Sequence, residues 1–148
     1  MRRIQAREEV CIGCRLCEVY CLVEHSRSRD IVKAYKRERA QAFSRVRVQE
    51  EGALSFALQC RHCEEPYCAY ACLTGALQRD EETGQVRFDA ERCMGCWTCI
   101  LVCPYGVPER DPSGRRVAPR CDLCPEREVP VCVANCPNEA LRLVEDAS

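Results

Sequence analysis

The sequence is poor in the side chains that usually fill a core. Of 148 residues, three are phenylalanine, one is tryptophan and five are tyrosine. Apolar content outside cysteine is modest, so a conventional oil-drop interior has little to draw on. No apolar run approaches the roughly 18 residues that a membrane helix needs. The opening residues, Met1-Arg2-Arg3-Ile4-Gln5-Ala6-Arg7-Glu8-Glu9, hold no apolar h-region, and Arg2-Arg3 alone is too bare for a twin-arginine export signal. A cytoplasmic protein is therefore expected, in a compartment where thiols stay reduced and disulfides are rare. There is no G-x-G-x-x-G, no P-loop and no evident nucleophile–base pair, so no catalytic site is expected in this chain. A formal net charge of −1 gives no excess of one sign to attract nucleic acid.

What the chain has in abundance is cysteine, sixteen of them, about one residue in nine. They fall into four motifs with none left over. The first is Cys11-x2-Cys14-x2-Cys17-x3-Cys21, and the second is Cys60-x2-Cys63-x4-Cys68-x3-Cys72. The third is Cys93-x2-Cys96-x2-Cys99-x3-Cys103, followed by Pro104. The fourth is Cys121-x2-Cys124-x7-Cys132-x3-Cys136, followed by Pro137. Two-residue gaps let a loop curl around a cube so that three thiolates reach three irons. The fourth cysteine, three residues on, leads away and in two-cluster ferredoxins ligates the other cluster. The third motif with its proline matches that bacterial pattern in full, and the second and fourth stretch one gap. Four [4Fe–4S] clusters are expected. Zinc would favour separated C-x2-C pairs, a form that the second and fourth motifs alone approach. Each oxidised cube on four thiolates carries about −2, so four would take the net charge to about −9. The 22 Lys and Arg then read as partial compensation for a negative interior, and the chain is expected to need its metal to fold.

Strand signals indicate which motifs are partners. Gly75–Arg79 and Gln85–Asp89 flank the turn residues Asp80-Glu81-Glu82-Thr83-Gly84 and read as a hairpin between the second and third motifs. Glu139–Glu145 after the fourth motif reads as a strand, with Arg2–Arg7 before the first as its partner. Residues 105–120, with prolines at 108, 112 and 119, read as a linker. The second motif is therefore paired with the third, and the first with the fourth. The ligand sets expected on this scheme are Cys11, Cys14, Cys17 and Cys136; Cys121, Cys124, Cys132 and Cys21; Cys60, Cys63, Cys68 and Cys103; and Cys93, Cys96, Cys99 and Cys72. The competing scheme pairs sequence neighbours, first with second and third with fourth.

The four-motif layout resembles the four-cluster iron–sulfur subunits of the dimethyl sulfoxide reductase and formate dehydrogenase type. Cys60-Arg-His-Cys63-Glu-Glu-Pro66-Tyr-Cys68 is similar to that family's second motif, and the resemblance implies the nested ligand exchange. Leu22 and Leu73 depart from it, standing where the ferredoxin pattern has proline. The short chain lacks the long insertions and membrane anchor of exported members. Cys11 to His25, running into a basic segment, resembles most the small cytoplasmic branch that serves CO dehydrogenases, tungsten aldehyde oxidoreductases and hydrogenases. The fold expected is α+β: two nested ferredoxin-like dicluster modules with short β-hairpins and short helices. The outer half spans 1–28 plus 112–148, an insertion of basic helix and strand spans 29–51, and the inner half spans 52–111. The function implied is a non-catalytic electron relay. It would link a catalytic oxidoreductase subunit, CO dehydrogenase foremost, then tungsten aldehyde oxidoreductase, hydrogenase or formate dehydrogenase, to an acceptor such as ferredoxin or a flavin- or NAD(P)-linked subunit. A freely diffusing polyferredoxin and a zinc-bound structural or regulatory module are the other readings, with no nucleic acid and no membrane in any of them.

Residues 30–40 have helical spacing, with Ile31, Ala34 and Tyr35 able to share a face and Lys33, Lys36, Arg37 and Arg39 around it. This reads as a solvated cover for the cluster module, or more sharply as a docking site for an acidic partner. Ser44–Gln49 and Leu54–Leu58 read as a hairpin around Glu51-Gly52. With four cysteines available to every cluster, His25 and His62 are expected to be structural or surface groups. His62, inside the second motif, is also a candidate hydrogen-bond donor to sulfur. Trp97 is expected to pack against the cluster of the third motif.

Overall fold

Strand β1 (Arg2–Ala6) pairs antiparallel with β6 (Leu141–Glu145), so the two ends of the chain form one ribbon. The computed structural model describes residues 1–39 and 41–145. Ile4 faces Leu143 in this ribbon, and Ile4 and Leu141 are both buried. A fully buried leucine such as Leu141 contributes about 1.5–3 kcal/mol.

Two hairpins lie between these ends. β2 (Val46–Glu51) and β3 (Leu54–Gln59) pair through a turn at Gly52, whose φ of +60° favours glycine. β4 (Leu77–Arg79) and β5 (Val86–Phe88) form the hairpin between the second and third motifs. The Asp80 carboxylate closes its loop by accepting from the Thr83 N–H at 2.7 Å and the Thr83 hydroxyl at 2.8 Å. Each cysteine motif runs into a short helix: α1 (Leu16–Glu24), α3 (Tyr67–Tyr70), α4 (Thr98–Val102) and α5 (Val131–Ala134). α1 packs on α5 and α3 on α4. The result is a small α+β fold built from ferredoxin-like elements.

Two hydrophobic cores accompany the two helix pairs. One gathers Ile4, Val46, Val48, Ala57, Leu123 and Leu141 around Cys17, Cys21 and Cys132. The other gathers Leu77, Val86 and Val117 around Cys60, Cys68 and Cys99. Cysteine supplies a third of the first core and half of the second, so apolar burial alone is a weak source of stability here.

The basic segment forms α2 (Ile31–Arg37), capped by Asp30, whose carboxylate accepts from the Lys33 N–H at 2.8 Å. Position 40, at the end of the expected helix, lies outside the described residues. The shared apolar face is not formed as expected. Ala34 is fully buried against Leu22 and Ala42, whereas Ile31 and Tyr35 are exposed. Only a small side chain fits where α2 lies on α1. The expected linker is also more ordered than its prolines imply. Arg110 bridges Val117, and Asp111 ties the loop by accepting from the N–H groups of Arg115 and Arg116 at 3.0 and 3.2 Å. Among the described residues no helix is long and apolar enough to cross a membrane.

Leu22 and Leu73 follow the fourth cysteine of their motifs, yet their surroundings differ. Leu22 is buried inside α1, while Leu73 is 84% exposed beyond α3. Gly75, Gly106 and Glu139 each donate a backbone N–H at 3.2 Å to the carbonyl of the fourth cysteine, so Leu73 sits in the same turn that holds Pro104 and Pro137. Leu73→Pro is therefore expected to leave iron content and thermal stability unchanged. Leu22→Pro is expected to cost about 3 kcal/mol and to lower the iron content, measured by metal analysis and thermal melting.

Candidate metal centre

The first and third motifs fold alike because they share a backbone trick. Gly13 and Arg15 adopt φ of +64° and +60°, and Gly95 and Trp97 adopt +75° and +63°. Alternating left-handed residues turn the chain tightly between successive cysteines and aim the sulfurs inward. Gly95 has a second constraint, since a Cβ there would lie 2.4 Å from the Arg115 carbonyl oxygen. In the stretched motifs, His62, Leu123 and Cys124 take the positive φ instead.

The cysteines converge across sequence. Cys11, Cys14, Cys17 and Cys136 line one cavity, closed by Val48, Ala57 and Leu141. Cys72, Cys93, Cys96 and Cys99 line another, with Trp97, Phe88 and Val117. Burial pushes the Cys132 thiol far up, and the charges of Cys21 and Cys124 add to it. Burial likewise raises Cys121, beside Cys132, Cys21 and Cys60. Burial raises Cys68 too, with Cys60 and Cys103 as its charged neighbours, and Cys63 has Cys68 and Cys103. Cys17 is pushed up to about 12 by burial. The exposed Cys96 goes the other way, lowered by the Thr98 hydroxyl at 3.5 Å.

Donors already aim at these sulfurs. The Arg45 N–H lies 3.2 Å from Cys21 Sγ and the Ala140 N–H 3.1 Å from Cys136 Sγ. His25 Nδ1 lies 2.8 Å from the Cys21 carbonyl oxygen and 3.6 Å from Cys21 Sγ. Arg120, buried at 6% exposure, points Nη1 at Cys68 Sγ at 3.7 Å while its Nε and Nη2 have no hydrogen-bond partner. Converging thiols, N–H groups on sulfur and an orphaned buried cation fit a sulfur-ligated, negatively charged iron–sulfur group.

The two histidines divide unexpectedly. His62 is fully buried, and its Nδ1 accepts the Val86 N–H at 3.0 Å rather than serving a sulfur, while Nε2 has no partner. Burial, reinforced by Arg120, lowers its pKa to about 4, so the ring is neutral. It is His25 that meets a cysteine sulfur. Burial opposes its protonation, but Asp122 at 3.2 Å and Cys21 outweigh that and raise it to about 9. Asp122 also pairs with Arg45, and with His25 and Arg45 it is held below the usual carboxylate range despite its burial. Trp97 lines its cavity as expected, with Arg110 over its ring at 4.6 Å. The roles of His25, Arg45, Asp122 and Arg120 were not visible in sequence. The one available signal was a cation beside each motif, which does not distinguish a buried arginine from an exposed one.

Protons and iron compete for the same sulfurs. Thiols whose pKa is raised, Cys17 and Cys132 among them, are protonated at neutral pH and must lose that proton to bind metal. Anaerobic reconstitution in dilute buffer at pH 7.5 is expected to release close to one proton per ligating cysteine beyond those that the added hydrosulfide gives up on becoming cluster sulfide. Metal retention is expected to weaken as pH falls, read by pH-stat and by loss of the visible charge-transfer absorption.

Comparisons place this geometry among known proteins. Residues 52–146 match the family model described as the 4Fe–4S dicluster domain. The electron transport protein HydN of Escherichia coli K12 is 38% identical, over 97% of this chain and 88% of its own. The thiosulfate reductase electron transfer subunit PhsB of Salmonella typhi is 35% identical, over 91% of this chain and 71% of its own. In the solved active-site complex BamBC of benzoyl coenzyme A reductase with 1,5-dienoyl-CoA, one chain is 25% identical. It superposes with a TM-score of 0.54 over all of this chain and 78% of its own.

Proposed function

We propose that this chain, which belongs to the 4Fe–4S dicluster family, carries four [4Fe–4S] clusters as an electron relay between a catalytic oxidoreductase subunit and an acceptor. The observation that carries the proposal is the convergence of distant cysteines. Cys136 joins Cys11, Cys14 and Cys17 around one cavity, and Cys72 joins Cys93, Cys96 and Cys99 around another. The electrostatic neighbours of Cys132 and Cys68 support the remaining two sets: Cys121, Cys124, Cys132 and Cys21; and Cys60, Cys63, Cys68 and Cys103. When bound, the clusters supply one-electron transfer.

A linear order is supported by electrostatic neighbours across sets. Cys132 has Cys17 and Cys121 has Cys60 among the charges that raise them, and Arg120, 3.7 Å from Cys68 Sγ, also lowers Cys99. The two terminal sets contain the exposed Cys14 and Cys96, which would give the relay two ends at the surface. In this reading the outer half comprises 1–28 with 112–148 and the inner half 52–111, separated by the insertion 29–51. Strand β3, within the inner span, lends Ala57 to the core of the outer half.

HydN and PhsB, one an electron transport protein and the other an electron transfer subunit, support a partner-bound role without catalysis by this chain. The partner proposed is an oxidoreductase of the small cytoplasmic branch, CO dehydrogenase first, then tungsten aldehyde oxidoreductase, hydrogenase or formate dehydrogenase. The acceptor proposed is ferredoxin or a flavin- or NAD(P)-linked subunit.

Anaerobically purified protein is expected to contain about sixteen irons and sixteen acid-labile sulfides per chain. Zinc without iron and sulfide would defeat the reading. Sizing of native extract is expected to find the protein in a larger complex. Migration only at the size of the single chain would replace the fixed subunit with a diffusing carrier.

A further inference from the structure

Four arginines stand directly beside a motif cysteine: Arg15, Arg61, Arg92 and Arg120. Three are exposed and already engaged. Arg15 pairs with Glu18 and Glu50, Arg92 pairs with Asp89, and Arg61 lies over the Tyr105 ring at 4.2 Å. Arg120 alone of the four is buried. Its Nη1 faces Cys68 Sγ at 3.7 Å, and its Nε and Nη2 have no hydrogen-bond partner. A guanidinium does not deprotonate in a protein, and burying its charge uncompensated is costly. Something anionic must answer it.

Cys60, Cys68 and Cys99 pack in one buried core, so the guanidinium facing Cys68 lies beside cysteines of both proposed inner sets, and it lowers all three thiol pKa values against the upward push of burial. Cys60 and Cys68 belong to one proposed ligand set and Cys99 to the other set of the inner half. Arg120 itself precedes Cys121, a cysteine of the outer half, so one half delivers a fixed cation into the interior of the other. His62 beside it is neutral and adds no second charge.

We propose that Arg120 is a positioning cation that sets the reduction potentials of both inner-half clusters. The proposal rests on the cluster reading above. Each cluster gains one electron on reduction, from the 2+ to the 1+ state, with no bond made or broken. The added negative charge arises in a low-dielectric region beside a positive charge that cannot titrate away. Arg120 therefore stabilises the reduced form of each inner cluster and raises both potentials together. With the clusters bound, their sulfurs would be acceptors for the unpartnered Nε and Nη2 groups, which would remove the cost of leaving them buried and unpaired.

The test is an EPR-monitored titration with dithionite of the full chain, wild type against Arg120→Gln and Arg120→Lys, after iron and sulfide analysis of each. Absence of iron and sulfide from the wild type defeats the cluster reading itself and is seen before any titration. With the wild type loaded, Arg120→Gln is expected to make two clusters at least tenfold harder to reduce, about 59 mV for a one-electron couple, with the other two unmoved. Arg120→Lys keeps the charge but not the fork, and is expected to load fully and shift the same two clusters by less. Full loading with all four potentials unchanged in Arg120→Gln overturns the proposal. If that variant loses its iron, a second neutral variant, Arg120→Met, decides, and unshifted potentials there overturn it. Loss of iron from both neutral variants also overturns it, in favour of a purely structural role.

Discussion

The convergence of cysteine sulfurs from distant parts of the chain is the constraint on which everything else depends. The strands are three to six residues long and the helices four to nine. Elements this short bury too little apolar surface to hold together alone, and two fifths of the buried core positions in the two clusters of side chains are cysteines. The secondary structure is better understood as a frame that presents thiols. Left-handed residues at Arg15 and Trp97 cost conformational energy that a soluble hydrophobic core would have no reason to bear. Sulfur ligation supplies the reason.

The two helix pairs, α1 with α5 and α3 with α4, solve the same problem with different means. Each lies beside a two-stranded element. The outer pair has Leu22 covered by Ala34 and Ala42 of the insertion and its sulfurs served by the backbone of Arg45 and the ring of His25. The inner pair leaves Leu73 and Leu101 exposed and relies on one buried arginine. Charges near Cys21 are balanced locally, since Asp122 answers both His25 and Arg45. Near Cys68 the Arg120 cation has no carboxylate partner among the described residues and faces cysteines instead. Similar motif spacing thus leads to different electrostatic surroundings, and surroundings govern how readily a cluster accepts an electron.

Much of this was legible from the residues, and the reasons are local. The motifs are short-range patterns, so their cysteines could be enumerated directly. The hairpin at 77–88 announced itself through strand signals around the turn residues 80–84, and the ribbon of β1 and β6 through strand signals before the first motif and after the fourth. What escaped depended on tertiary placement. Nothing in the spacing says that Ile31 and Tyr35 face solvent while Ala34 is buried, because that follows from how closely α2 approaches α1. The order in residues 109–118 comes from Asp111 side-chain bonds that compete successfully with the flexibility its prolines and glycine imply. Arg120 looked like three other arginines, and the two histidines, both expected as structural or surface groups, differ in that His25 rather than His62 lies near a cysteine sulfur.

The ribbon that ties β1 to β6 also fixes an order of assembly. The two strands lie at opposite ends of the chain, so the ribbon is the longest loop closure in the fold and its entropy is recovered last. During synthesis Cys60 through Cys103 emerge together with the hairpin between them, and Cys17 and Cys21 meet Val46, Val48 and Ala57 early, whereas Cys132 of that core and Cys136 of the cavity shared with Cys11 arrive only near the end of the chain. A chain cut short before residue 121 leaves the thiols of the first motif without those late neighbours and open to oxidation.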